Sequence, residues 1–120
     1  GRARFVIRDS DSDNSDTVDV VSQTSLTDGK WHHVVVVRDW PAIDARVYVD
    51  GRLEGAAQGF FSSGLASATA PLDIGRLNLS HGFHLEGTLD ELAIYNRPLT
   101  EGEISRHYAS GLQGKPYCRW

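Results

Sequence analysis

Four aspartates, Asp9, Asp11, Asp13 and Asp16, crowd into one polar stretch that runs from Asp9 to Asp16. Calcium binding needs several oxygen ligands close together in sequence. This stretch is therefore the candidate metal loop, and calcium is the cofactor it would take. The EF-hand pattern does not complete: Asn14 stands where glycine should follow, and Val20 where the closing glutamate should be. The plainer account of the same stretch is a solvated hairpin tip. A second chemistry is open at Trp40, which precedes Pro41 in a loop that runs on to Asp44. An exposed indole can stack on the apolar face of a pyranose while nearby acids, or calcium, hold its hydroxyls. Trp40 and Asp44 are thus the candidate ligand-binding residues. The competing account makes Trp40 a packing lid over a sheet edge.

The remaining polar residues carry less. His81-x-x-His84 with Glu86 has a spacing that zinc could use. Alternation puts His84 and Glu86 on one face, however, while His81 sits in a loop, so polar side chains facing solvent are the better account. His32 and His33 fall in a strand that reads as buried, where one of them must find a hydrogen-bond partner. Asp90 and Glu91 are adjacent and so face opposite sides of a strand, which prevents them from pairing as catalytic acids. Glycoside hydrolysis needs two carboxylates roughly 5–9 Å apart across one bond. Glu54, Glu86 and Asp90 could meet that need only through tertiary folding. Asp90 is better read as an anchor for backbone N–H groups near a helix. No Ser–His–acid set, phosphate loop or CxxC pair is visible. The expectation is a protein that is not an enzyme, with a hydrolase the weakest alternative.

The elements that must position these residues read mostly as strands. The chain has 120 residues, room for one domain with a modest core. Its formal charge of −4 gives no basic footprint for nucleic acid. No apolar run approaches the ~20 residues of a membrane span. One cysteine, Cys118, rules out an internal disulfide framework. Strand-prone runs fall at Arg4–Arg8, Thr17–Ser22, Trp31–Arg38, Ala45–Val49, Arg52–Ala56 and Leu72–Gly75, with a long one over Leu89–Tyr95. The Trp31–Arg38 run is apolar on both faces, which predicts a central strand covered on both sides. Asp50-Gly51 predicts a two-residue hairpin turn and Asp28-Gly29 another turn. Phe60 and Phe61 would pin an irregular crossing segment to the core. Thr100 with Glu103 predicts a capping box, and Leu99 with Ile104 a hydrophobic staple. The helix is expected over Glu101–Ala109, closed by Gly111. Strands that reverse direction in turn would put the Asp9–Asp16 loop and the Trp40 loop at one end, and the two Asp-Gly turns at the other.

Four motifs, taken in order, carry a family resemblance. They are Asp28-Gly29-Lys30-Trp31-His32-His33-Val34, Val47-Tyr48-Val49-Asp50-Gly51-Arg52-Leu53, Leu72-Asp73-Ile74-Gly75-Arg76, and Gly87 to Thr100 with Glu103-Ile104. Together they resemble the laminin-G-like domains of the concanavalin A-like lectin/glucanase superfamily. The resemblance implies an all-β, antiparallel two-sheet jelly roll with one short C-terminal helix. It also implies that residues 1–111 are the C-terminal two thirds of such a domain, with 112–120 an extended tail. The uncovered face would then be closed by further strands, a neighbouring domain or a second copy. The pentraxin-type calcium loop is not matched, because Arg76 to His81 contains no carboxylate, and the E-x-D-x-x-E run of the glucanases does not occur. The resemblance implies a secreted or extracellular binding module for carbohydrate or another extracellular protein, without membrane insertion. A structural domain that binds no sugar is the alternative.

Overall fold

The computed structural model describes residues 1–8, 17–59, 72–77 and 83–116. Among the described residues the regular structure is mostly β and antiparallel, with one helix near the C-terminus. It divides into two compact units, Gly1–Ser63 with Tyr95–Trp120, and Gly64–Ile94.

In the first unit, β1 (Arg4–Arg8) pairs with β2 (Thr17–Val21) so that Phe5 faces Val20 and Ile7 faces Val18. A second sheet holds β3 (Val34–Asp39), β4 (Asp44–Val49) and β5 (Arg52–Gln58), in that order. Alternation along β4 builds two cores. Ala45 and Val47 point to one face and pack with Ile7, Val18 and Val20 of the β1–β2 hairpin. Tyr48 points to the other and packs with Val37, Leu99 and Ile104. The hairpin lies close because β5 carries glycine: a Cβ at Gly55 would stand 2.8 Å from Val20 Cγ1. The Asp50-Gly51 turn forms as expected, between Val49 and Arg52, with φ of 50° and 76°. Positive φ at both positions is the twist-matched hairpin turn that this dipeptide favours.

The strand covered on both faces is β4, not the Trp31–Arg38 run. Among the described residues β3 pairs with β4 alone, and Val34 and Val36 stay 42% and 48% exposed. The β1–β2 hairpin packs over β4 and β5, so the valines of β3 on that same face project beyond it. An apolar run predicts the strand; it does not tell which neighbour sits on top.

The helix α1 (Glu101–Leu112) begins as expected. Thr100 accepts the Glu103 N–H at 3.3 Å, and Glu103 Oε2 accepts the Thr100 N–H at 2.9 Å. Leu99 and Ile104 are both buried in one cluster, the contact required of a staple. The end differs from expectation. Gly111 lies inside the helix, Gln113 is the C-cap, and Gly114 takes the left-handed conformation at φ 62°. Termination is set by the glycine that adopts positive φ, and Gly114 is that residue. The 112–120 segment therefore begins within the helix; its last four residues lie outside the described residues.

In the second unit, β6 (Arg76–Leu77) pairs with β7 (Phe83–His84). The strand expected at Leu72–Gly75 is a bend instead, held by the Leu85 N–H on the Gly75 carbonyl at 2.8 Å. The long strand expected over Leu89–Tyr95 does not form. Glu91 has φ 52°, and Leu89, Leu92 and Ile94 are exposed. Alternating apolar residues supply a face, but a strand also needs a neighbour for its N–H and C=O groups. Asp90 Oδ1 accepts the adjacent Glu91 N–H at 2.8 Å.

Candidate functional site

The β3–β4 turn builds one end of the first unit. The Ile43 N–H closes onto the Trp40 carbonyl at 3.0 Å, with Ile43 in left-handed backbone at φ 47°. The Gly59 N–H then bonds the Ile43 carbonyl at 3.1 Å, tying the end of β5 to the turn. Gly59 also abuts Val18, so β1 and β2 terminate, at Arg8 and Thr17, at this same end. Trp40 is 47% exposed on this turn. Asp44 is turned toward its own strand. Arg46 Nε lies 2.8 Å from Asp44 Oδ2, near enough for charge pairing though not aligned as a hydrogen bond. Arg46 NH2 also bonds Asp39 Oδ2 at 3.2 Å. Asp39 and Asp44 face each other across the strand pair, so Arg46 sits between two like charges that would otherwise repel. The structure therefore brings an exposed indole and an acid–arginine–acid row, its two carboxylates bridged by one guanidinium, to one rim. Asp9, Asp11, Asp13 and Asp16 lie outside the described residues, as do His81, Phe60, Phe61 and Cys118. Among the described residues, no group of three or more histidines, cysteines or acids could hold a metal ion.

The two Asp-Gly turns meet at the opposite end. His32 joins them: its Nδ1 lies 2.8 Å from Asp50 Oδ2 and its Nε2 lies 3.0 Å from Asp28 Oδ1. Asp50 Oδ1 also accepts the His33 N–H at 3.0 Å. Asp28 is held down to about 2 by its bond from His32, aided by the Lys30 N–H. The imidazole of His32 is raised by Asp50 first and Asp28 second, against partial burial. His33 shifts the other way, because burial and then the nearby His107 disfavour its charge. Its ring lies 6.1 Å from that of Tyr108, which packs on Gly51.

Glu54 completes this end. Val47 faces Gly55 while Tyr48 faces Leu53, so Glu54 is the extra residue of a bulge. The bulge aims its carboxylate at the Gln23–Thr24 segment. It accepts the Gln23 and Thr24 N–H groups at 3.0 and 2.9 Å and the Thr24 hydroxyl at 2.5 Å. Burial pushes this carboxyl up, but the donors outweigh it and hold it below its usual range. Thr24, Asp50, Arg52, Glu54 and Tyr108 line a shallow polar groove of about 290 Å³. Sequence reasoning gave one of the two histidines a buried partner but missed the clamp and the role of Glu54. The signal was present for the clamp: the two Asp-Gly turns share an end, and His32 stands four residues after Asp28.

A family model described as the concanavalin A-like lectin/glucanases superfamily, of laminin-G type, matches residues 1–105. No curated protein matches the chain. Among solved structures, the chain is similar to an S-layer domain-containing protein from Clostridium thermocellum, with 22% identity and a TM-score of 0.60. The match covers 90% of this chain and 52% of that one.

Proposed function

This chain belongs to the concanavalin A-like lectin/glucanases superfamily as a laminin-G-like domain, and we propose on that premise that it is a non-catalytic binding module working outside the cell. Its ligand is carbohydrate or a glycan-bearing surface protein, and its strands follow the jelly roll of the family. The observation that carries this reading is Trp40, half exposed on a turn closed by its own backbone bond. An indole held there offers a flat apolar face beside the polar groups that sugar hydroxyls need. Asp44 contributes from the same rim through the Arg46 pair. Asp9, Asp11, Asp13 and Asp16, which fall between β1 and β2 in the sequence, are the proposed oxygen ligands for calcium.

A glycan array run with and without calcium tests this reading, using the whole chain and Trp40→Ala. Binding that is lost in Trp40→Ala supports it; binding unchanged by that substitution, or silence under both conditions, sinks it. Calcium titration of an Asp11→Asn, Asp13→Asn double variant tests the metal loop separately. A second reading is favoured by Val34 and Val36, which leave an apolar strip on β3 uncovered. In that reading the module is a structural domain completed by a second copy or a neighbouring domain.

A further inference from the structure

Both ring nitrogens of His32 face carboxylate oxygens, Nδ1 toward Asp50 and Nε2 toward Asp28. A neutral imidazole carries one N–H. One of the two contacts would then set a nitrogen lone pair against a carboxylate oxygen. Both become donor bonds only when the ring holds two protons, so a second proton closes the arrangement.

The two carboxylates belong to separate elements. Asp28 opens a turn that it also closes, by accepting the Lys30 N–H at 3.0 Å. Asp50 opens the β4–β5 turn. Between Lys30 and His32 stands Trp31, whose side chain is 69% exposed. The segment that presents this indole is thus pinned on its C-terminal side by His32 and by the His33 N–H on Asp50. We infer that His32 is a proton-operated latch that seats the Trp31-bearing segment on the β4–β5 turn, closed when the ring holds two protons and loosened when it holds one.

The charged neighbours are few. From the turn come Asp28 and Lys30, whose ammonium lies 3.4 Å from the other oxygen of Asp28. From the β4–β5 hairpin come Asp50, with Arg52 and Glu54 beside it along the groove. From the helix, His107 acts on His33 rather than on His32. The two carboxylates dominate and raise the folded-state value of the ring. A group raised on folding contributes fully below its unfolded value, and the contribution is lost as pH rises through the folded value. The latch is therefore closed in acid and opens on the alkaline side of the ordinary imidazole value of about 6.5.

Imidazole NMR titration of the whole chain tests this, together with Trp31 fluorescence anisotropy in a Trp40→Phe, Trp120→Phe background. The expected His32 midpoint lies above about 6.5 and falls in Asp28→Asn. Trp31 anisotropy should drop with the same midpoint, and the step should vanish in His32→Gln. A midpoint at or below the ordinary value overturns the latch, as does an anisotropy step that survives His32→Gln. Asp28→Asn keeps the Asp50–His33 bond, so it decides the question even where His32→Gln fails to fold.

Discussion

Glu54 shows how one side chain can fix a junction that no regular element reaches. It leaves the ladder at a bulge and accepts three donors from Gln23 and Thr24. Hydrogen bonds to charged groups are worth more than neutral ones, and the two from Thr24 are part-buried while the one from Gln23 is exposed. Glu54→Ala should therefore cost about 1–2 kcal/mol, read from urea midpoints at neutral pH. The pH dependence follows from the lowered folded-state value. The stabilisation stands above the ordinary glutamate value of 4.5 and is lost as pH falls through the lower folded value. Glu54→Gln should flatten the acid limb of the stability curve; an unchanged limb would assign the acid sensitivity to other carboxylates. The bulge itself left no mark in the sequence, because Leu53-Glu54-Gly55 is equally compatible with an unbroken ladder. His32 was more legible. The Asp-Gly turns mark both ends of its clamp, but the contact depends on the register of β3 against β4, which spacing alone does not supply.

The helix illustrates which elements declare themselves locally. Thr100 and Glu103 satisfy each other's backbone N–H groups three residues apart, and Arg97 NH2 adds a 2.6 Å bond to Glu103 Oε1. Such a cap needs nothing from the rest of the chain, so it was readable from the sequence. The same holds for Asp50-Gly51. The Leu89–Tyr95 run is the contrary case. Its alternation is clear, yet Glu91 turns left-handed and the apolar side chains remain exposed. Strand formation is a property of a pair, and one half of a pair is all that a periodic run describes. The helix also holds the core on the Tyr48 face of β4. Ile104 is fully buried against Val37, Tyr48 and Leu99. Ile104→Ala should lower stability by about 2–5 kcal/mol through lost contacts and a residual cavity. Thr100→Ala should cost about 1 kcal/mol and act on the helix terminus alone. Thermal melts followed at a helix band and a sheet band separate the two: Ile104→Ala should lower both transitions together.

At the scale of the molecule, the β3–β4–β5 sheet is asymmetric in what covers it. On the hairpin side, Ala45 and Val47 are sealed by Ile7, Val18 and Val20, while Val34 and Val36 on the neighbouring strand are left half exposed. On the helix side, Val35 and Val37 of the same strand pack against the Tyr48 cluster. One strand is thus anchored by one face and open on the other, and among the described residues its outer edge has no strand beside it. An outer strand with an apolar face and few charges is a ready template for another strand. Its cation and acid, Arg38 and Asp39, stand together at one end, so the valine run is free of like-charge repulsion along its length. If a second copy covers this face, the mass seen by light scattering should rise with concentration toward the dimer. Val36→Lys should return it to the monomer with little loss of stability, because the side chain is 48% exposed. Val37→Lys is the control that separates surface from core: its site is 3% exposed, so it should unfold the domain rather than dissociate it. A monomer at all concentrations would remove the second copy as the cover of β3 and leave Trp40 the stronger claim to a binding face.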